Sequence, residues 1–183
     1  AFIADERLYL GAAAEVWRGT WMGQAAVRKQ RRLRSWRHPD LDDRLGRRRM
    51  LAEARLMVRL YKSGLNIPVL YDCDIKEQQL VMSNVPGRPL IELLNDDSID
   101  DATMMKHLQS AGYSIRMLHR QAIVHGDLST NNIMITPSGE AVLIDFGLAK
   151  IEFETELYGI DLHVLFEILG ASHPHRENAM EPD

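Results

Sequence analysis

Apolar residues recur at helical spacing in two stretches of this chain. In the first, residues 45–62, they form one stripe, and Gly64 is expected to close the helix. Its members are Met50, Ala54, Met57, Val58 and Tyr61. In the second, residues 101–121, Asp100 or Asp101 is expected to cap a helix with a core stripe. That stripe is Leu108, Ala111, Ile115 and Leu118. The pattern therefore predicts two amphipathic helices.

Short runs of β-branched and apolar residues predict strands around these helices. Residues 8–17 read as strand, small-residue turn and strand, and residues 25–29 read as a third strand. Residues 80–82 predict a further strand. The mixture indicates an α+β fold.

A hairpin is predicted toward the C-terminal side. Residues 133–135 and 141–144 form two apolar, mostly β-branched runs, and Thr136-Pro137-Ser138-Gly139 separates them. Such a hairpin would bring Asp145, which follows the second strand, back beside Asn132, which precedes the first.

Composition is typical of a globular protein. The 183 residues are 45% hydrophobic and 26% charged, and no apolar run approaches the length of a membrane span. The first residues lack the basic start and apolar core of a signal peptide. A single cysteine, Cys73, excludes an internal disulfide framework, which suits the reducing cytoplasm or nucleus.

Charge is distributed unevenly along the chain. The net charge is −4, yet residues 28–49 hold ten Lys/Arg and three Asp, a local charge of +7. This stretch could contact RNA phosphates, or it could be a solvated helix face or a docking surface for an acidic protein. Arg47, Arg48 and Arg49 are expected to serve a partner surface outside the nucleotide site, because they point in successive helical directions.

Two motifs together indicate phosphoryl transfer. Asp127 is followed five residues later by Asn132, and Asp145-Phe146-Gly147 begins 18 residues after Asp127. In kinase-like sites one carboxylate orients the attacking hydroxyl, while an amide oxygen and a second carboxylate hold Mg²⁺ on the ATP phosphates. Each motif alone is common in turns. Together they predict Asp127 as catalytic residue and Asn132 and Asp145 as metal ligands.

The turn within residues 8–17 lies where such folds have a glycine-rich loop. It holds one glycine, Gly11, followed by Ala12 and Ala13, whose backbone amides are expected to cover phosphates. Val16 on the next strand is expected to flank the nucleotide.

A lysine and a glutamate complete the predicted phosphate site. Lys29, at the end of the third strand, is expected to reach the α- and β-phosphates. Glu53 is the only acidic residue between Asp43 and Asp72, and on the first helix it is expected to pair with Lys29. A plain surface pair between Glu53 and a neighbouring arginine is the alternative.

The chain is predicted to have two lobes. Residues 1–82 would form the N-terminal lobe, residues 83–87 the hinge, and residues 88–183 a reduced C-terminal lobe. Met82 would flank the adenine, and backbone groups of Ser83 and Val85 would bind it. Asp161 is expected to start a buried helix and to accept bonds from the catalytic-loop backbone, whereas His119 is expected to be structural.

Further motifs give the chain a specific resemblance to the PRPK family, over about residues 8–174. They are Arg37-His38-Pro39-Asp40-Leu41-Asp42, Leu45-Gly46-Arg47-Arg48-Arg49, Glu53-Ala54-Arg55, His125-Gly126-Asp127-Leu128, Asp145-Phe146-Gly147-Leu148 and Gly159-Ile160-Asp161-Leu162. This family is the small atypical serine/threonine kinase, or ATPase, subunit of the KEOPS complex.

The resemblance implies a two-lobed protein-kinase-like fold in a compact, atypical version. It also implies an enzyme dependent on ATP and Mg²⁺ that supports threonylcarbamoylation of tRNA. The implied partners are a threonylcarbamoyltransferase subunit, a small subunit that contacts the N-terminal lobe, and tRNA through the complex. The implied location is cytoplasmic and nuclear, without membrane association.

Departures from ordinary protein kinases agree with this resemblance. Asp161 follows sixteen residues after Asp145, and no Ala-Pro-Glu motif lies between them, so the activation segment is expected to be short. Ser129 stands where serine/threonine kinases have a lysine that contacts the γ-phosphate. Two alternatives remain open at this point: a small-molecule phosphotransferase of the aminoglycoside or choline kinase type, and a nucleotide-binding pseudokinase scaffold.

Overall fold

The computed structural model describes residues 1–11, 14–32 and 38–172. The chain divides into two units: the first holds Ala1–Tyr61 and Pro68–Asn84, and the second holds Lys62–Ile67 and the chain from Val85 onward. The hinge assignment of residues 83–87 stays a prediction.

The first unit is built on an antiparallel five-stranded sheet. Its strands lie in the order β1-β2-β3-β5-β4, and helix α1 accompanies them. The elements are β1 (Phe2–Leu10), β2 (Ala14–Trp21), β3 (Gln24–Arg31), α1 (Pro39–Lys62), β4 (Leu70–Asp74) and β5 (Gln79–Ser83). Apolar core residues of this unit include Ala26, Leu60, Leu80 and Val81.

Helix α1 begins six residues before the predicted start at Leu45. Pro39 is its first residue, a position where proline's fixed φ and missing N–H are tolerated. After the helix ends at Lys62, Gly64 adopts a φ of +83° that favours glycine, in line with the predicted stop. The predicted stripe was wrong at Val58 and Tyr61, which are exposed, because the buried face turns through Leu56 and Leu60 instead.

A buried polar cluster joins the start of α1 to the sheet. The Arg31 guanidinium donates to Asp42 Oδ1 at 2.8 Å and to the Asp42 carbonyl and Gln78 Oε1, each at 3.1 Å. Gln78 in turn donates to Asp43 Oδ1 at 2.7 Å. Asp42 is 1% exposed, so its charge depends on this partner. The cluster fixes α1 against β3 and the β4–β5 turn.

Gly46 should be intolerant of a side chain. A Cβ atom there would collide with the Gln78 side-chain oxygen and the Arg31 guanidinium, whose Cζ would lie only 2.7 Å away. We expect Gly46→Ala to lower the free energy of unfolding by about 1–3 kcal/mol, because the buried ion pair must shift. Gly112→Ala is the matched control, since its helical Cβ meets nothing within 4 Å and should stabilise slightly. Urea denaturation of both variants tests this, and equal stabilities would contradict it.

In its described residues, the second unit combines three helices with two small sheets. Strands β6, β8 and β9 form one antiparallel sheet, and β7 pairs with β10 in the other. The elements are β6 (Arg88–Pro89), α2 (Leu90–Leu94), α3 (Asp101–Arg120), β7 (Ile123–Val124), β8 (Ile133–Ile135), β9 (Ala141–Leu143), β10 (Lys150–Ile151) and α4 (Thr155–Ser172).

Helix α3 follows the sequence prediction closely. Asp100 is its N-cap and accepts a hydrogen bond from the Thr103 N–H at 2.9 Å. All four residues of the predicted stripe are buried, and Met104 joins them. The predicted hairpin is also confirmed, with Ile133 opposite Leu143 and Ile135 opposite Ala141.

None of the helices in the described residues is both long and apolar enough to cross a membrane.

Candidate active site

The predicted catalytic loop lies between β7 and β8. Within it, Asn132 Nδ2 donates to the Asp127 carbonyl at 2.9 Å and to Asp127 Oδ2 at 3.2 Å. The Asn132 N–H also donates to the Ser129 carbonyl at 2.9 Å, which closes the turn. Asp127 is exposed and Asn132 half-buried, so both polar groups can meet a ligand. The structure thus brings the predicted catalytic carboxylate and one predicted metal ligand together.

Asp145 follows the hairpin on the other side. The Ile144 N–H donates to the Asn132 carbonyl at 3.0 Å, which places the start of the Asp145-Phe146-Gly147 motif next to the end of the catalytic loop. Asp145 has a φ of +60°, a region that non-glycine residues seldom adopt. Its Oδ1 accepts from the Gly147 N–H at 3.2 Å, and Phe146 is buried. Such strain is typical of functional positions, where surrounding contacts hold it.

His125 ties these two loops to each other. Its Nδ1 accepts from the Asp127 N–H at 3.4 Å, and its Nε2 contacts the Ile144 carbonyl at 3.0 Å. Because a carbonyl only accepts, the proton resides on Nε2. Burial lowers the pKa of His125, against the raising effects of the Ile144 carbonyl and nearby carboxylates, so the ring is neutral at pH 7. His125 therefore connects Asp127 to the strand that leads to Asp145 through hydrogen bonds at both ring nitrogens.

Only glycine suits the position between His125 and Asp127. Gly126 has a φ of +78°, and a Cβ atom there would lie 2.5 Å from the Leu148 carbonyl oxygen. The catalytic loop consequently packs its backbone directly against the segment after Phe146.

Asp161 holds the catalytic-loop backbone from α4. Its carboxylate accepts from the His125 N–H at 2.7 Å and from the Gly126 N–H at 2.9 Å. His119 Nε2 lies 3.0 Å from Asp161 Oδ2, and its ring stacks on Tyr158 with centroids 4.9 Å apart. The predicted backbone contacts of Asp161 are confirmed. Its predicted place at the helix start was wrong, because α4 already begins at Thr155.

The pKa of Asp161 reflects this network. Burial alone would raise it, but the hydrogen bonds from His119, Gly126 and His125 outweigh burial and lower the pKa below 3.8. Asp161 is therefore ionised at neutral pH although it is only 3% exposed.

The predicted lysine–glutamate pair forms in the first unit. Lys29 Nζ lies 2.8 Å from Glu53 Oε1, and both side chains are largely buried. Val16 and Leu80 are the register partners of Lys29 on the neighbouring strands, so the three share one face of the sheet. The roles of Lys29, Glu53 and Val16 toward ATP stay predictions.

The structure describes only some of the other predicted nucleotide contacts, and one of their backbone N–H groups is already hydrogen-bonded. The Gly11 N–H donates to the Ala14 carbonyl at 2.9 Å, which closes the β1–β2 turn, while Ala12 and Ala13 lie outside the described residues. Met82 is buried in β5, and Val85 follows the strand. The Ser83 N–H already donates to the Val69 carbonyl at 2.8 Å, so the predicted adenine contact of Ser83 would need its carbonyl.

The donor set fits Mg²⁺ held together with a nucleotide. In the described part of the chain, no group of three or more His, Cys, Asp and Glu could hold a metal by itself. Mg²⁺ in phosphoryl-transfer sites is commonly bound by one or two carboxylates, with phosphates and waters as the remaining ligands. The carboxylate of Asp145 and the amide oxygen of Asn132 match that type of site.

Known proteins resemble this chain over most of its length. Residues 23–153 match the RIO domain family. The mouse EKC/KEOPS complex subunit Tp53rkb is 36% identical, over 96% of this chain and 75% of that protein. The KEOPS complex subunit Bud32 of Pyrococcus abyssi is 33% identical, over 93% of this chain and 75% of that protein. This chain belongs to the Bud32 group of the RIO domain family. Its predicted PRPK membership and α+β kinase-like fold are thereby confirmed.

Another relative is much longer than this member of the Bud32 group. The probable bifunctional tRNA threonylcarbamoyladenosine biosynthesis protein of Methanothermobacter thermautotrophicus is 36% identical over 89% of this chain. The chain spans only 29% of that protein. The match is therefore to one part of a larger, two-function protein.

Sequence reasoning missed the roles of His125 and of the Arg31–Asp42 pair. For His125, the signal was its place two residues before Asp127, where a ring can accept the loop's own N–H. For Asp42, the signal was three acids within residues 40–43, at the start of an arginine-rich helix, where one can turn inward to a basic strand residue.

Proposed function

We propose that this protein is an ATP- and Mg²⁺-dependent atypical serine/threonine kinase or ATPase that acts as the Bud32-type subunit of a KEOPS complex. In that role it supports formation of threonylcarbamoyladenosine in tRNA. The observation that carries the proposal is the Asp127–Asn132 pair beside the strained Asp145, in a chain that belongs to the Bud32 group. Such a role implies a cytoplasmic and nuclear location.

Each predicted residue has a defined task in this proposal. Asp127 orients the attacking hydroxyl or water and accepts its proton as the bond from the γ-phosphorus to the bridging oxygen of ADP breaks. Asn132 and Asp145 hold Mg²⁺, which when bound neutralises charge on the phosphates. Lys29, fixed by Glu53, contacts the α- and β-phosphates.

The remaining nucleotide contacts come from the first unit and the segment after it. Backbone amides of Gly11, Ala12 and Ala13 cover the phosphates, while Val16 and Met82 flank the base. Backbone groups of Ser83 and Val85 bind the adenine edge.

The short segment after Asp145 favours water over a peptide hydroxyl as the acceptor of the phosphoryl group. Only residues 146–154 separate Asp145 from α4, and part of them forms β10 against β7. Little chain is available for a peptide platform of the kind that kinases build between their Asp-Phe-Gly and Ala-Pro-Glu motifs. Membership of the Bud32 group also favours this proposal over the aminoglycoside or choline kinase alternative.

The proposed partners follow from the names of the relatives. Several are subunits of a KEOPS complex, and one longer relative is called bifunctional in threonylcarbamoyladenosine biosynthesis. We therefore propose a threonylcarbamoyltransferase subunit as direct partner, with a small subunit on the N-terminal lobe and tRNA bound through the complex.

ATP hydrolysis should be slow in the isolated chain and rise on addition of the transferase partner, because the short segment after Gly147 cannot order the site alone. The test is a turnover assay with and without partner, and with Asp127→Ala as the inactive variant. Asp97→Ala, at an exposed loop position, serves as control and should keep full activity. A monomer that phosphorylates generic peptides at roughly 1–100 per second would contradict the proposal. Nucleotide binding without any turnover in the complex would support a pseudokinase instead.

A further inference from the structure

One ridge of helix α1 carries only positive charge. Five cationic residues on the helix are exposed and fall on one line, which we call the basic ridge. They are Arg44, Arg48, Arg55, Arg59 and Lys62. At 3.6 residues per turn their directions lie within an arc of about 60°, and at 1.5 Å per residue the line is about 27 Å long. Glu53 and the apolar core residues of α1 point to the opposite side.

The helix supplies the basic ridge with few counter-charges. Its acids after residue 43 are limited to Glu53, which is buried and bound to Lys29. Asp42 and Asp43 are bound by Arg31, and by Arg47 and Gln78 respectively. The exposed Asp40 stands four residues before Arg44, so it can offset charge only at the N-terminal end of the ridge. The ridge also places like charges four residues apart, as in Arg44/Arg48. Such pairs repel, whereas an ordinary solvated helix face alternates positive and negative residues.

We propose that the basic ridge binds the phosphate backbone of RNA. Four of its five members are arginines, whose planar guanidinium groups match phosphate oxygens with two parallel hydrogen bonds. A straight line of one sign suits a continuous polyanion, whose phosphates repeat along the strand. The proposal rests on the proposed function, since tRNA is the RNA that this protein would meet.

The ridge differs from the partner surface that the sequence alone predicts. Arg47 is bound to Asp43 at 2.8 Å and points away from the ridge. The direction of Arg49 lies about 80° outside the arc that the ridge residues occupy. Of the three consecutive arginines, only Arg48 belongs to the ridge.

A charge-reversal pair of variants tests the proposal on the full chain. The ridge variant is Arg48→Glu/Arg55→Glu/Arg59→Glu. The control is Lys76→Glu/Lys106→Glu/Arg116→Glu, which makes the same change in net charge at exposed positions elsewhere. Binding of an unmodified tRNA transcript is measured by fluorescence anisotropy at several salt concentrations, after thermal melts show that both variants fold.

The ridge variant should lose at least about tenfold in tRNA affinity at low salt. The slope of its log affinity against log salt concentration should become less negative by about 2–3. Each lost phosphate contact removes about 0.7–0.9 from that slope. The control should stay within about threefold of the wild type. Equal losses in both variants, or no tRNA binding by the wild type, would overturn the proposal.

Two further measurements separate this proposal from the proposed function. The ridge variant should keep the ATP turnover of the wild type in complex with the transferase partner. If turnover is normal and tRNA affinity is unchanged, the ridge proposal fails while the proposed function stands. If the variant loses the protein partner in the absence of RNA, the ridge is a docking surface for an acidic protein, and the RNA proposal is wrong.

Discussion

ATP turnover is expected to fall by about 10²- to 10³-fold or more when Asp145 is replaced, the scale of losing one electrostatic contact in a transition state. Asp145 is the only carboxylate among the two predicted Mg²⁺ ligands, so its loss removes the negative charge that holds the ion. Asp145→Ala makes this change, but it also places alanine at a φ of +60°.

Asp145→Asn is therefore the sharper variant. Asparagine tolerates positive φ at least as well as aspartate, and it keeps an oxygen to accept from the Gly147 N–H, so mainly the charge is lost. Turnover and Mg²⁺-dependent nucleotide affinity should both fall in this variant, while nucleotide affinity without Mg²⁺ stays similar. Equal hydrolysis by wild type and both variants, at matched stability, would refute the assignment of Asp145.

Asp161→Ala is expected to cost about 3 kcal/mol of unfolding free energy. The substitution leaves the N–H groups of His125 and Gly126 without their acceptor, and a buried donor in that state costs about 1–3 kcal/mol. His119 loses its partner as well. Turnover should fall together with stability, because the same N–H groups position the loop that carries Asp127.

The pH dependence of the unfolding free energy tests whether the charge of Asp161 causes this loss of stability. Because the folded-state pKa of Asp161 is lowered below 3.8, its stabilisation is present above that value and declines as the pH falls toward the folded pKa. Asp161→Asn should therefore be less stable than the wild type at pH 7, and the gap should narrow near pH 3. Urea denaturation at both pH values measures the gap. A gap that is constant with pH would show that the charge of Asp161 contributes nothing.

Local sequence patterns by themselves determine much of this protein. The hairpin from Ile133 to Leu143 follows from two β-branched runs around a Pro-Ser-Gly turn, and the cap at Asp100 follows from its place before an apolar stripe. These features depend on contacts between residues close in sequence. The Bud32 resemblance is equally visible in the sequence, since its motifs are short and contiguous.

Motif order also predicted which residues pair over longer distances in two cases. Lys29 and Glu53 meet at 2.8 Å, and the Ile144 N–H donates to the Asn132 carbonyl at 3.0 Å, which brings Asp145 beside Asn132. Both pairs belong to the kinase-like motif set, so the order and spacing of the motifs were sufficient to predict these two contacts. Their roles toward ATP and Mg²⁺ stay predictions until turnover and binding are measured.

Tertiary structure alone decided the contacts that support those motifs. His119 and Asp161 are 42 residues apart, and Arg31 and Gln78 are 47 apart, yet each pair is joined by hydrogen bonds. Packing likewise decided that Val58 and Tyr61 are exposed and that the basic ridge of α1 includes Arg48 but not Arg47. A periodic pattern specifies that a helix has an apolar side, but the neighbouring strands and turns determine how far that side extends. The orientation of a polar residue is set by the partner that packing brings to it, and the sequence around that residue does not identify the partner.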